Sequence, residues 1–201
     1  MDNSFLFSIG SIFTWAAPVV FAVMGETLTE RAGVINLSLN GSIILSAMVG
    51  FVVATSTGSF LIGFLAAALA SALVALMIAF SSITLKQSQV AVGYVLTIAT
   101  KSLAYFLGAP FVGRPVMQFP LIKIPFLDNI PYLGPIFFNK TLLTYISYLL
   151  VIACFVWLYK TRWGLILQGI GERPTAAFVR GANVNLLRYI YTTVGGALVG
   201  I

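Results

Sequence analysis

The sequence predicts an all-α polytopic membrane protein with about six transmembrane helices, the last of them truncated. Three observations predict it. Hydrophobic residues make up 60% of the chain and charged residues only 8%, with a mean hydropathy of +1.03. A soluble domain carries roughly a quarter charged residues to keep its surface wet. The apolar residues are also gathered into runs of about 20, the helix length that crosses roughly 30 Å of hydrocarbon. Finally, the basic residues lie mostly in alternate loops, the asymmetry that orients a chain in a bilayer.

Taken in order, the spans run 7–25, 37–55, 60–85, 90–109, 142–159 and from 189 onward. The first starts after Met1-Asp2-Asn3-Ser4, which lacks the basic leader of a signal peptide and so predicts a retained helix. The third is long for one crossing, which a tilted helix accommodates. The sixth reaches the last residue after about 13 positions, roughly 20 Å at 1.5 Å per residue. Such a segment is either re-entrant or cut short, and the unfinished pattern favours residues 1–201 as an incomplete part of one membrane domain.

Arg31, Lys86, Lys160, Arg162, Arg173, Arg180 and Arg188 fall on one side of this arrangement, and Arg114, Lys123 and Lys140 on the other. The richer side is expected in the cytoplasm. The N-terminus and a proline-rich loop, 110–140, are then outside, and the loop 160–188 is inside. Proline suits neither helix nor sheet interiors, so the outer loop is expected as an extended cap, either a lid over substrate entry or a plain connector. The net charge of +6 is spread between apolar runs rather than gathered in a patch, which argues against a nucleic-acid partner.

Small residues recur at four-residue spacing. Ser38, Ser42, Ser46 and Gly50 mark one stripe, Gly63, Ala67, Ser71, Ala75 and Ala79 a second, and Gly196 and Gly200 a third. Such stripes let membrane helices approach closely, so they read as packing faces. Cys154 is the only cysteine and lies in an apolar run, as a small packing residue does. The chain has no histidine, no Walker A loop and no nucleophile–base set, so catalysis is not expected of it and no cofactor is implied.

The polar interruptions are more informative. Asn36 and Asn40 are spaced to share a helix face at the start of the second span. An amide there is costly unless it bonds to something, so the pair either cross-links helices or touches a solute. Lys101 sits near the bilayer middle, where it should face a cavity, a partner or water. Between the fifth and sixth spans, Pro174 suits the first position of a short helix, Gly181 its left-handed stop, and Arg180 the negative end of its dipole. A two-turn helix there would lie along the cytoplasmic surface, either as an ordinary loop or as an element that docks on a soluble partner.

Those interruptions carry a family resemblance. The run from Gly25 to Gly41, Gly-Glu-Thr-Leu-Thr-Glu-Arg-Ala-Gly-Val-Ile-Asn-Leu-Ser-Leu-Asn-Gly, resembles the N-terminal signature of ABC importer permeases. It is most similar to the nucleoside and simple-sugar branch, related to the ribose and branched-chain amino-acid permeases. Ile-Pro-Phe-Leu at 124–127, Ile-Pro-Tyr-Leu-Gly at 130–134, Thr-Arg-Trp-Gly-Leu at 161–165, Gly-Glu-Arg-Pro-Thr-Ala-Ala at 171–177 and Gly-Ala-Asn-Val at 181–184 extend the likeness over nearly the whole chain.

The resemblance implies a permease subunit of a prokaryotic cell membrane. Its partners would be two ATPase subunits that hold the ATP, a second permease and an extracytoplasmic solute-binding protein. It assigns Gly171, Glu172, Arg173, Pro174, Ala176, Ala177, Arg180 and Gly181 to contact with the ATPase. Asn36, Asn40, Thr97 and Lys101 are the candidate residues of a solute pathway. Ser38, Asn40 and Thr97 depart from the residues usual in the branch, which touches solute specificity. The rival reading is a secondary transporter or channel that needs no ATPase, with Lys101, Glu26 and Glu30 coupling an ion.

Overall fold

The computed structural model describes residues 3–115, 119–123 and 133–201. Long apolar runs fold as helices because only a helix satisfies its own backbone in hydrocarbon. They form α1 (Asn3–Arg31), α2 (Leu39–Thr57), α3 (Phe60–Ala79), α4 (Gln89–Gly108) and α6 (Leu142–Lys160). Between α4 and α6 lie β1 (Leu121–Lys123), α5 (Leu133–Phe137) and β2 (Asn139–Thr141), and after α6 come α7 (Arg162–Glu172), α8 (Pro174–Val179) and α9 (Val184–Val199). Five of the described helices are long and apolar enough to cross a membrane. The chain is a multi-pass membrane protein.

Two spans differ from the sequence expectation in an informative way. The charged stretch after residue 25 does not leave the first helix: α1 continues through Glu26 and Glu30 to Arg31. The long third span is resolved without a longer α-helix, because α3 passes at Phe80 into a π-helical turn that ends at Thr84. Ser88 then starts α4 by accepting from the Ala91 amide at 3.4 Å.

The packing faces are the small-residue stripes. Ser42, Ser46, Ala67, Ser71, Ala75 and Ala79 are all buried. α9 runs back along α3: a Cβ at Gly196 would strike Ala75, and one at Gly200 would meet Ser71 Cβ at 2.7 Å. The apolar core has two centres. Leu28, Leu158, Leu167 and Tyr191 join α1, α6, α7 and α9, while Leu45, Val74 and Ala104 join α2, α3 and α4. Cys154 is buried on α6, as a packing residue.

The described part of the proline-rich loop lies at the end of the bundle away from α8. β1 and β2 pair antiparallel with Ile122 opposite Lys140. The segments 124–127 and 130–132 lie outside the described residues. Lys140 is only 4% exposed, and its Nζ donates to the Gly10 carbonyl in α1.

Burial holds the Lys140 ammonium below the usual value of 10.5. The unfolded chain therefore binds this proton more tightly, and stability rises with pH between the lowered value and 10.5. Thermal unfolding of the detergent-solubilised protein should show that rise, and Lys140→Met should flatten it. An equal slope in both proteins would show that the buried ammonium carries no such penalty.

Candidate functional site

Two groups of side chains stand out, and both lie toward the α8 end of the bundle. The first surrounds the loop between α1 and α2. Gly33, at φ +81°, turns the chain out of α1, a conformation an L side chain resists. Asn36 then closes an Asx turn, its Oδ1 accepting from the Ser38 amide at 3.1 Å and the Ser38 hydroxyl at 2.7 Å. This delays α2 until Leu39. Asn36 is consequently buried ahead of the helix while Asn40 is exposed in its first turn, so the two do not share the face that their spacing predicts.

Glu26, named from the sequence as a candidate for ion coupling, holds this loop from behind. Its Oε1 accepts from the Asn36 amide at 3.0 Å, which gives that buried donor a partner. From the other side, the Thr97 hydroxyl is shared between the carbonyls of Leu37 and Gly93, each at 2.9 Å. The approach of α4 is close here: a Cβ on Gly41 would meet the Thr97 carbonyl oxygen at 2.6 Å. The structure thus brings Asn36 and Thr97 to one junction through Leu37. Lys101 lies one turn beyond Thr97, half-buried, with no hydrogen bond or ion pair to another described residue.

The second group is α8 and its mounts. Pro174 stands in the first turn of α8, and Gly181, at φ +87°, follows its end. Only Arg173 separates α8 from α7. α7 itself was not expected, since Gly164, Gly169 and Gly171 weaken helix propensity. Packing requires the first of these: a Cβ at Gly164 would strike the Trp157 and Leu158 carbonyls of α6.

Glu172, Arg173, Ala176, Arg180 and Gly181 are exposed, and Gly171, Pro174 and Ala177 are half-buried. An open groove of about 750 Å³ runs between α7, α8 and the start of α9, lined by Trp163, Glu172, Arg173, Ala177 and Arg180 among others. Phe178 and Val179 project from α8 at 70% and 85% exposure. Sequence reading passed over these two, although an apolar pair inside a charged surface loop was the available signal.

α8 is thus a short exposed helix carried between α7 and α9. The family model for the branched-chain amino acid transport system permease component matches residues 8–201. The chain belongs to this family. Curated relatives include a putative glucose ABC transporter permease protein, TsgC13, of Haloferax volcanii, 33% identical over 92% of this chain and 57% of its own length. The nucleoside ABC transporter permease protein NupC of Lactococcus lactis subsp. cremoris is 28% identical over 99% of this chain and 66% of its own. The guanosine ABC transporter permease protein NupQ of Bacillus subtilis is 30% identical over 96% of this chain and 64% of its own. The chain therefore spans about three-fifths of the length of these relatives. No solved structure matches it.

Proposed function

We propose that this chain acts as a permease component of a prokaryotic ABC importer that passes a nucleoside or a related small polar solute into the cell. The observation that carries this reading is the match of two nucleoside-type permeases across 96% and 99% of the chain. In the proposed arrangement the α8 end faces the cytoplasm, where α8 docks on one of two ATPase subunits that bind and hydrolyse the ATP. A second permease completes the pathway, and an extracytoplasmic binding protein delivers solute at the opposite end. The Asn36–Thr97 junction and Lys101 are the polar groups of this chain proposed for the pathway.

A second reading, a sugar importer, is favoured by the 33% identity to the putative glucose permease. The two separate in one experiment. ATP-dependent uptake of radiolabelled guanosine by the complete importer in proteoliposomes should be suppressed by excess unlabelled nucleosides and unaffected by excess glucose. Labelled glucose uptake that nucleosides leave untouched would replace the nucleoside reading with the sugar one. Uptake of either solute without ATP or an ATPase would overturn both.

A further inference from the structure

We propose that Arg188 is a positioning residue for energy coupling, the joint through which movement of α8 reaches the Ala32–Ser38 loop. The inference rests on α8 being the element that an ATPase moves. Arg188 lies in α9, a little over one turn beyond its start at Val184. Its Nε donates to the Ala32 carbonyl at 3.0 Å and its Nη2 to the Ile170 carbonyl at 3.4 Å. The first acceptor follows directly on the end of α1, and the second lies in the last turn of α7.

Those two helix ends need a cation between them. The last carbonyls of a helix lack intrahelical donors and carry the negative end of its dipole. Here two such ends are pressed together: a Cβ on Gly171 would strike the Arg31 carbonyl oxygen, and one on Gly33 would lie 3.3 Å from the Gly171 Cα and 2.9 Å from Arg188 Nη2. Backbone meets backbone with no side chain as a cushion. One planar guanidinium serves both carbonyls from separate, rigidly spaced nitrogens, whereas a lysine would have to draw both to one nitrogen. Among the described residues no carboxylate pairs with Arg188, so its donors are left for this purpose.

The position of the joint gives it a mechanical role. α8 hangs between the end of α7 and the start of α9, separated by Arg173 on one side and by residues 180–183 on the other. Arg188 ties both mounts to α1. Beyond Ala32 the loop is continuous with Asn36, which Glu26 holds, and with Leu37, whose carbonyl takes the Thr97 hydroxyl of α4. With Arg188 in place, a displaced α8 has to carry this loop, and with it the neighbourhood of α4. Without it, α7 can slide on α1 and the displacement is absorbed locally.

The test uses the complete importer, wild type, Arg188→Met and Arg188→Lys, purified with its ATPase and reconstituted in lipid. Three quantities are read: ATPase retained per permease, basal ATP hydrolysis, and solute taken up per ATP hydrolysed. In Arg188→Met, uptake per ATP should fall by about 2- to 30-fold, the range of coupling changes seen along such networks. Retained ATPase and basal hydrolysis should stay at the wild-type level. Arg188→Lys, which keeps the charge and loses the fork, should fall between the two. Wild-type uptake per ATP in Arg188→Met overturns the inference alone, and so does a loss of uptake matched by loss of bound ATPase, which marks a merely structural role. A wild-type complex without ATP-dependent uptake overturns the transport reading and the inference with it.

Discussion

Phe178→Asp should detach the ATPase from the purified permease complex, weakening association by about 30-fold or more, while the permease still inserts and folds. Buried aromatic anchors in protein interfaces contribute about 2 kcal/mol or more, which is that factor. Phe178 is 70% exposed and its neighbour Val179 85%, so neither is held in the bundle and their loss leaves the membrane core unchanged. Many other apolar side chains of this chain are exposed, among them Phe106 and Leu149, but those lie on spans whose surroundings are lipid. Phe178 is different because its helix lies beyond the spans, between Arg173 and Arg180, where it is open to a soluble partner.

Isothermal titration of the permease in detergent with purified ATPase checks this directly, with Val179→Asp as a second variant. Affinity equal to wild type in both would remove α8 from the interface. The half-buried Ala177 gives an independent check. A Trp there would crowd the groove shared with Trp163 and Arg180, and it should weaken the same association.

The spans were legible because a bilayer imposes one length and one composition on any helix that crosses it. α8 was legible for a different reason: Pro174 and Gly181 are local signals that act at the positions where they stand. The rest depended on contacts between residues distant in sequence. The charges of Glu26 and Glu30 hid the continuation of α1 to its stop at Gly33, and Glu26 finds its partner only when the Asn36 amide folds back on it. The shared face assumed for Asn36 and Asn40 failed because Asn36 spends its side chain on Ser38, which stops the helix from starting there. Arg188 read as one more cytoplasmic positive charge, since its acceptors, Ala32 and Ile170, come from two other helices. Glycine-poor rules hid α7 in the same way, because Gly164 answers to α6 and not to its own helix.

The same dependence on tertiary context makes Gly195→Leu a damaging substitution in the bundle. Gly195 and Gly196 are neighbours on α9 that face different helices. A Cβ on Gly195 would meet Thr29 Cγ2 at 2.6 Å and press on the Gly25 carbonyl of α1, while one on Gly196 would meet the Ser71 carbonyl of α3 at 3.2 Å and strike Ala75. α9 is thus wedged, and it cannot back away from one helix without entering the other. Overpacking usually costs about 1–3 kcal/mol where neighbours can shift. Here the obstructing atom at Gly195 is backbone, so Gly195→Ala should already reach that range and Gly195→Leu should exceed it.

Close approach supplies much of the attraction between membrane helices, so the loss is of packing as well as of space. Gly169→Ala is the control: nothing lies within 4 Å of its Cβ, and the change should be neutral or stabilising by up to about 1 kcal/mol through helix propensity. The folded fraction surviving a heating series, read by size-exclusion chromatography in detergent, should rank Gly169→Ala at or above wild type, then Gly195→Ala, then Gly195→Leu. Wild-type survival of Gly195→Leu would show that α1 and α9 do not cross at this point.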